Sequence, residues 1–328
     1  MIPLLDIGPL FGPDSPERRR VDSSLGDAAE TSGFFTIAGP SAPIPTDAEN
    51  RAVLLAPFGL PLEEQKRLWR RYYAPSHHNV YRGWSPRQPD DAVDIFDLGP
   101  DIAHPADSRM YIDDPLLGAT PLPPPGVLPG WHGAVARYYR SMERLGMVLM
   151  QSVARWLELP ESFFDDDFRG GISTLRLMRY QLPPADPSEV ETYDPGMPRR
   201  GEHVDSGFVT LLCQNGVAGL SAKMRTGEWV DVPPVDGHLV VNFGGVLERW
   251  TGGRISATAH RVVSRGSTRY SIPFFYEPRV HAVIRPLPLP GAVEFAPFTY
   301  GDHLWAAMSK FPNFSGIADL RTPRGVPI

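Results

Sequence analysis

The stretch EHVDSGFVTLLCQ, residues 202–214, joins a polar His-x-Asp triplet to a short apolar segment that is typical of a β-strand. Similar segments recur after about residue 170; they are rich in Val, Ile, Thr, Leu and Phe and are separated by Gly, Pro and Asp. The predicted strands are 172–182, 208–214, 219–224, 228–232, 238–243, 256–264 and 269–276. Short strands at this spacing indicate a β-sandwich or a barrel-like jelly roll.

The first half of the chain has a different pattern, which predicts helices packed on the β-structure. The predicted helices are 15–32, 62–73 and 131–159. Residues 85–130 carry many Pro, Asp and Gly residues, so we expect a long surface excursion that borders the pocket. We therefore expect an N-terminal helical region, 1–168, packed on a jelly-roll core, 169–328, that includes a C-terminal helix.

The charge of the chain excludes several classes of partner. The 328 residues include 32 basic and 38 acidic side chains, which gives a net charge of −6. A chain that is net negative and has no lysine-rich block lacks the electrostatic pattern of a nucleic-acid binder. We expect neither nucleic acid nor an anionic membrane as a partner, and no obligate protein partner is evident.

The cysteine content limits the possible disulfides and metal ligands, and the first residues indicate where the protein is located. Cys213 is the only cysteine, so no intrachain disulfide can form and any metal must bind His, Asp or Glu. Residues 1–7, MIPLLDI, lack a basic region and are interrupted by Asp6, which is unlike a signal peptide. No apolar run approaches the length of a membrane span. We expect a cytoplasmic protein.

Three residues have the pattern of a metal site. His203 and Asp205 are two apart, so on an extended segment their side chains point to the same face. His260 lies on a later predicted strand that could face the first one and supply a third ligand. Two histidines and one carboxylate form a facial triad, which suits non-haem Fe(II) and leaves positions free for substrate and dioxygen. A structural zinc site would need a fourth ligand, usually cysteine.

A second polar group follows nine residues after His260. Arg269 and Ser271 share one face of the predicted strand 269–276. A guanidinium and a hydroxyl on one face can bind a single carboxylate at the base of a pocket.

These elements, in this order, resemble the isopenicillin N synthase-like family of Fe(II)/2-oxoglutarate-dependent oxygenases, and the resemblance runs over most of the chain. The matching segments are IPLLDI (2–7), GFF (33–35), LEEQK (62–66), YRGW (81–84), LRLMRY (175–180), HVDSGFVTLL (203–212), VNFG (241–244), HRVV (260–263) and RYSIPFFY (269–276). The resemblance implies a fold that is mainly β with flanking helices, in which a double-stranded β-helix (a cupin-like jelly roll) follows an N-terminal helical region.

The resemblance also implies a role for each site residue. It implies that His203, Asp205 and His260 bind iron, and that Arg269 and Ser271 bind the distal carboxylate of 2-oxoglutarate. Tyr180 is implied as a hydrogen-bonding neighbour of this cosubstrate.

Some positions depart from the family pattern. Met178 stands where many members have asparagine, and Gly244-Gly245 stands where many have Gly-Asp. The Asn-His-Gly that usually follows Gly-Phe-Phe is absent, so the N-terminal region that faces the substrate is divergent. Arg82 and Trp84 are our candidates for residues that border the substrate.

The implied activity is oxidation of a C–H bond of a small molecule by Fe(II), 2-oxoglutarate and O₂, with release of succinate and CO₂. Hydroxylation is the default outcome, and desaturation or cyclisation would need the same residues. The family analogy points to specialised metabolism. Two alternatives remain at this level: an isopenicillin N synthase-type oxidase that uses no 2-oxoglutarate, and a non-catalytic jelly-roll binding protein.

Overall fold

The computed structural model describes residues 2–39, 45–88, 93–105, 114–180, 200–262, 268–289, 293–311, 314 and 316–326. Its helices are α1 Pro16–Thr31, α2 Ala48–Leu55, α3 Leu62–Lys66, α4 Trp131–Trp156, α5 Asp165–Phe168, α6 Gly245–Trp250 and α7 Tyr300–Met308. Its strands are β1 Leu4–Asp6, β2 Phe34–Ala38, β3 Gly83–Ser85, β4 Val93–Leu98, β5 Thr174–Tyr180, β6 Arg200–His203, β7 Val209–Gln214, β8 Leu220–Lys223, β9 Trp229–Asp231, β10 Leu239–Phe243, β11 His260–Val262, β12 Arg269–Tyr276, β13 Val283–Ile284 and β14 Phe298–Thr299. Within these ranges no helix has the length and apolar character needed to cross a membrane.

Two sheets build the core of the protein. The larger sheet has the strand order β1-β2-β10-β7-β12-β5-β4-β3, and the smaller has the order β6-β11-β8-β9. Each of the seven segments predicted as strands contains one strand of these sheets. The prediction of a jelly-roll core preceded by helices is therefore confirmed.

The prediction of a surface excursion over 85–130 is wrong for β4. All six residues of this strand are buried, and the strand pairs with β3 on one side and with β5 on the other. Its two acidic residues bind arginines of β5: Asp97 pairs with Arg176, and Asp94 pairs with Arg179. These ion pairs allow the two aspartates of an otherwise apolar strand to lie inside the fold. Residues 106–113 of the excursion lie outside the described ranges.

The N-terminal region is not purely helical, because it also contributes strands to the core. It contributes β1 to β4 to the larger sheet, two at each edge. The boundary at residue 168 stays a prediction. The helix expected over 62–73 ends at Lys66, because the backbone beyond it bonds to β3: Trp84 N donates to Leu68 O at 2.7 Å, and Arg70 N donates to Trp84 O at 2.9 Å.

Helix α4 packs on the larger sheet and orients β12. The ring of Tyr139 lies edge-on to that of Phe274, with 4.9 Å between the ring centroids. Further along, the helix approaches β12 so closely that a Cβ atom on Gly146 would lie 2.3 Å from Cγ of the buried Tyr276. Since no real Cβ atom fits at that distance, this contact requires glycine at position 146.

We expect Gly146→Ala to lower the free energy of unfolding by about 1–3 kcal/mol, because the added methyl group overpacks the interface between α4 and β12. Gly133→Ala in the same helix is the matched control. There the nearest atom is the end of the flexible Arg137 side chain, at 3.4 Å. The control should be neutral or stabilising by up to about 1 kcal/mol, since alanine favours helix. Urea unfolding of both variants measures the difference, and equal stabilities would contradict the packing argument.

Candidate active site

Three side chains that can bind a metal meet where β6 and β11 pair. His203 ends β6, Asp205 follows it by two residues, and His260 begins β11 directly opposite His203. The Nε2 atoms of His203 and His260 lie 3.8 Å and 3.7 Å from Oδ1 of Asp205. One potential ligand atom from each residue lies within 4.8 Å of the other two. The structure thus brings together the three residues that the sequence pattern nominated.

Hydrogen bonds orient the carboxylate of Asp205. Thr210 Oγ1 donates to Oδ2 at 2.6 Å, and Asn242 Nδ2 donates to the same oxygen at 2.8 Å. Oδ1 therefore remains on the side of the two imidazoles. Burial by itself would raise the pKa of Asp205, but the nearby His260 and His203 and the two donors lower it below its usual range. The carboxylate is held in its charged, metal-binding form.

The backbone around Asp205 is held by the start of α6. Gly245 N donates to Asp205 O at 2.8 Å, and Gly244 N donates to Phe208 O at 2.8 Å. A Cβ atom on Gly244 would lie 2.4 Å from the carbonyl oxygen of Gly207. The absence of a side chain at Gly244 thus lets two backbone segments approach closely enough to hold the Asp205 loop.

The imidazole of His260 is positioned by a backbone contact. Its Nδ1 lies 3.2 Å from the carbonyl oxygen of Thr258. A carbonyl oxygen accepts only, so Nδ1 carries the proton in this contact and Nε2 presents its lone pair towards Asp205. Phe34 packs beside the ring, with 5.9 Å between the ring centroids.

This donor set fits Fe(II) better than it fits a closed structural metal site. Two imidazole nitrogens and one carboxylate oxygen form the facial arrangement that leaves coordination positions open. The described residues supply no fourth histidine, cysteine, aspartate or glutamate to the cluster. Cys213 is buried, and burial raises the pKa of its thiol to about 11, so it is not a thiolate ligand.

The triad borders a cavity of about 180 Å³ between the two sheets. Successive residues of a strand point to opposite faces, and every second residue of β12 and β5 lines this cavity. From β12 and its end these residues are Arg269, Ser271, Pro273, Phe275 and Glu277; from β5 they are Thr174, Arg176, Met178 and Tyr180. One wall of the cavity therefore consists of two adjacent rows of side chains from these antiparallel strands.

Arg269 is a buried cation with an unsatisfied donor. Its side chain is fully buried, and its bonds to described residues go to neutral acceptors, Gln214 Oε1 and Val217 O, each at 3.3 Å. Its Nη1 is buried and has no hydrogen-bond partner among the described residues. Ser271, also buried, lies two residues further along the same face. A buried guanidinium without a carboxylate is costly, so this pair is suited to an anionic ligand.

Tyr180 lies directly opposite Arg269 in the pairing of β5 with β12, and its ring centroid is 5.2 Å from Cζ of Arg269. Its hydroxyl contacts Met178 Sδ at 3.6 Å. The structure therefore brings Tyr180 to the predicted cosubstrate end of the cavity, with Met178 where many family members carry asparagine.

Arg82 and Trp84 are not brought into this cavity. Arg82 is buried; it donates to Ile172 O at 2.6 Å and to Thr174 Oγ1, and it stacks on Tyr81. Trp84 is fully buried against Phe58. Both residues pack inside the fold and do not border the site.

Several cavity residues were missed from the sequence. Tyr81 lines the cavity in place of its neighbour Arg82, and Arg176 and Glu277 add charged groups to the wall. The alternation that links Arg269 to Ser271 extends to Glu277, so the strand period could have indicated that residue. The C-terminal segment covers the cavity with Leu304, Met308, Phe311 and Phe314.

Comparison with known proteins places this site in a family. The family model described as the 2OG-Fe(II) oxygenase superfamily matches residues 173–278, and the N-terminal model described as non-haem dioxygenase in morphine synthesis matches 2–117. The 2-oxoglutarate-Fe(II) type oxidoreductase hxnY of Emericella nidulans is 31% identical over 300 residues, which cover 87% of this chain and 82% of that protein. The chain belongs to the 2OG-Fe(II) oxygenase superfamily. It is a non-haem Fe(II)/2-oxoglutarate-dependent dioxygenase.

Two further relatives extend the comparison of this oxygenase. Isopenicillin N synthase of Streptomyces clavuligerus is 29% identical over 319 residues, which cover 92% of this chain and 93% of that protein. The crystal structure of a full-length Neurospora crassa protein in complex with alpha-KG superposes with a TM-score of 0.80 at 24% identity. The superposition covers 94% of this chain and 95% of that one, and it supports the jelly-roll fold.

We expect Thr210→Val to weaken Fe(II) binding by the oxygenase roughly 10- to 100-fold, because Asp205 loses a donor that orients it. Thr251→Val is the control: its buried hydroxyl donates to Leu247 O in α6, away from the carboxylate. Anaerobic Fe(II) titration measures both affinities. If the two variants bind Fe(II) equally, the hydroxyl of Thr210 has no role in positioning Asp205.

Proposed function

We propose that His203, Asp205 and His260 bind Fe(II) in this oxygenase, that Arg269 and Ser271 bind the distal carboxylate of 2-oxoglutarate, and that the enzyme hydroxylates a C–H bond of a small molecule. The observation that carries the proposal is the buried guanidinium of Arg269, which lines the same cavity as the three metal-binding side chains. One cavity thus holds a metal site and an anion site.

Neighbouring residues orient the side chains of the triad before a metal binds. The donors Thr210 and Asn242 hold one oxygen of Asp205, so the other oxygen is available to a cation. The backbone contact of His260 presents the lone pair of Nε2 on the same side. When iron, 2-oxoglutarate and O₂ are bound, the centre supplies the oxidant for the C–H bond, and succinate and CO₂ are formed.

The opposite residues Arg269 and Tyr180 define the cosubstrate end of the cavity. Arg269 approaches it from β12 with an unsatisfied Nη1, and Ser271 adds a hydroxyl on the same face. Burial lowers the pKa of Arg269, so a carboxylate partner would restore the charged form that burial disfavours. Such a carboxylate would bind through charge-assisted hydrogen bonds.

The C-terminal segment shields the cavity from water. Met308 at the end of α7 and Phe314 beyond it cover the cavity with apolar atoms. Arg321 anchors this segment: its Nε donates to Asp114 at 2.9 Å, and its Nη1 donates to Asp302 at 2.6 Å. Exclusion of water protects reactive species from side reactions.

We expect Arg269→Ala to raise the apparent KM for 2-oxoglutarate at least about tenfold, since it removes a charged hydrogen bond to the cosubstrate. Arg261→Ala is a matched control on β11, where the guanidinium faces the ring of Trp229 at 4.0 Å and does not line the cavity. Succinate release at increasing 2-oxoglutarate concentration is the measurement. Equal KM values for the parent and Arg269→Ala would overturn the cosubstrate assignment.

The similarity to isopenicillin N synthase supports a second candidate function. In it, the protein is an iron oxidase, and Arg269 and Ser271 bind a carboxylate of the substrate. The proposed function predicts that succinate forms in step with O₂ uptake and that His260→Ala abolishes both. Parallel oxygen-electrode and succinate assays test this. Oxygen uptake without succinate would favour the oxidase.

We also propose that the substrate belongs to specialised metabolism. Two comparisons support this proposal. The description of the N-terminal family model names morphine synthesis, and isopenicillin N synthase is among the relatives. The expected cytoplasmic location stays a prediction.

A further inference from the structure

Arg176 lines the same cavity as Arg269, but it lies away from the cosubstrate end. The register of β5 against β12 sets Arg176 opposite Pro273, four residues beyond Arg269. At about 3.4 Å per residue, that separation is about 14 Å along the strand. The carbon chain of 2-oxoglutarate has four C–C bonds of about 1.5 Å each and spans at most about 6 Å. A cosubstrate bound at Arg269 therefore does not extend along the wall to Arg176.

The two guanidinium groups also bond to opposite sides of this pair of strands. Arg269 donates to Gln214 on β7, which lies beside β12. Arg176 donates to Asp97 on β4, which lies beside β5. These bonds hold the two side chains apart, so one small anion cannot satisfy both arginines.

Asp97 is the carboxylate that binds Arg176, but it serves two cations. Nε and Nη2 of Arg176 donate to its two oxygens at 2.7 Å and 2.9 Å, and Nη2 of Arg70 also donates to Oδ2. Arg70 is fully buried and does not line the cavity. One carboxylate therefore offsets two guanidinium groups, and one positive charge of this cluster is unpaired. Of the two arginines, Arg176 is the one that can meet a ligand in the cavity.

Glu277 does not supply the missing negative charge. The hydroxyl of Thr174 links this carboxyl group to Arg82: it accepts from Arg82 Nη1 and lies 3.5 Å from Glu277 Oε2. The other hydrogen bonds of Arg82 to described residues go to carbonyl oxygens. Burial raises the pKa of Glu277 to about 7, so near neutral pH it carries only part of a negative charge. Glu277 thus balances Arg82 at most, and the excess charge beside Asp97 remains.

The iron centre of the proposed function does not supply that charge either. Fe(II) brings two positive charges and Arg269 brings one, while Asp205 brings one negative charge and the carboxylates of 2-oxoglutarate bring two. The two histidines bind a metal in their neutral form. This set is therefore balanced by itself, and the charge of Arg176 is left for a further anion.

Arg176 keeps hydrogen-bond donors for such an anion. The donors of a guanidinium form a planar fork, and Asp97 occupies only its Nε–Nη2 side. Nη1 has no hydrogen-bond partner among the described residues, and unlike Nη1 of Arg269 it is not enclosed by protein atoms. The Nη1–Nη2 end of the fork can therefore bind a second carboxylate through two parallel hydrogen bonds.

The guanidinium of Arg176 lies within electrostatic reach of the metal site. Burial by itself would lower the pKa of Arg176, but the negative charges around it, which include Asp97 and Asp205, raise it above its usual range. The group is thus held in its charged form. An anion bound there can place the rest of its molecule near the three metal-binding residues.

The cavity also offers an apolar surface to such a molecule. The ring of Phe275 lies beside Arg176, with 5.2 Å between the ring centroid and Cζ. The C-terminal segment covers the same cavity with Leu304, Met308 and Phe314. A ligand therefore needs an apolar body in addition to its anionic group.

Building on the proposed function, we propose that Arg176 binds the substrate through a carboxylate and that the substrate is a monocarboxylate with an apolar body. Nη1 and Nη2 donate to the two carboxylate oxygens, while Asp97 holds the guanidinium from its other side. A single carboxylate matches the one unpaired charge of Arg70 and Arg176. A phosphate dianion would bring a second negative charge, for which this cluster has no partner. The apolar body extends towards the metal site, where one of its C–H bonds is oxidised.

The test uses benzoate, phenylacetate and 3-phenylpropionate, whose carboxylates lie at increasing distances from the ring. Each is compared with its primary amide, which has nearly the same shape and no charge. Binding to the protein loaded with Fe(II) and 2-oxoglutarate is measured anaerobically by calorimetry, so that the cosubstrate occupies Arg269. At least one carboxylate should have a Kd at least about tenfold lower than that of its amide, because it makes charged hydrogen bonds.

Two variants assign this preference to one guanidinium. Arg176→Gln should raise the Kd of the preferred carboxylate about tenfold and leave that of its amide within about twofold. Asp97 remains paired with Arg70 in this variant. Arg179→Gln is the matched control on the same strand: Arg179 binds Asp94 through Nε and Nη2, but it does not line the cavity, so the preference should persist.

The outcomes separate this inference from the proposed function. If no carboxylate binds more tightly than its amide, or if the preference survives in Arg176→Gln, the assignment of Arg176 is overturned while the iron chemistry stands. The probes on the parent protein decide the question even if the variant misfolds. Failure of the parent to bind Fe(II) or 2-oxoglutarate would overturn the proposed function and, with it, this inference.

Discussion

The antiparallel register between β6 and β11 is the constraint on which the site depends. It places His260 opposite His203, and Asp205 follows the end of β6 by two residues. A register shift of one residue would turn the side chain of His260 to the other face of its strand and separate the three metal-binding groups. Strand pairing thus brings the three side chains together, and the hydrogen bonds from Thr210 and Asn242 then orient the carboxylate of Asp205.

The buried arginines differ in the partners that offset their charge, and this difference distinguishes arginines that stabilise the fold from one that is suited to binding the cosubstrate. Arg70 and Arg176 share the carboxylate of Asp97, and Arg82 donates to backbone carbonyl oxygens. These groups stabilise the joint between the N-terminal strands and the core, since a buried charge is tolerated when it is paired and hydrogen-bonded. Arg269 has only neutral partners among the described residues. Its charge is therefore best explained by an anion that binds there during function.

Predictions from the sequence succeeded where the signal is local. The short apolar strands have a period of two and turn residues at their ends, so each could be located before its partners were known. Strand β4 was missed because the stretch around it, residues 85–130, is rich in Pro, Asp and Gly and so resembles a loop, although four of the six residues of the strand are apolar. Asp94 and Asp97 are buried only because arginines about 80 positions away on β5 neutralise them. No local pattern contains that information.

The sequence by itself determined the metal-binding residue types, their order and the face shared by Arg269 and Ser271, because alternation along a strand is a property of the backbone. The tertiary structure alone decided which N-terminal residues border the cavity. It buries Arg82 against Thr174 and admits Tyr81. Neighbouring residues on a chain point in different directions, and only the packing of β3 and β4 against the core sets which one faces the cavity.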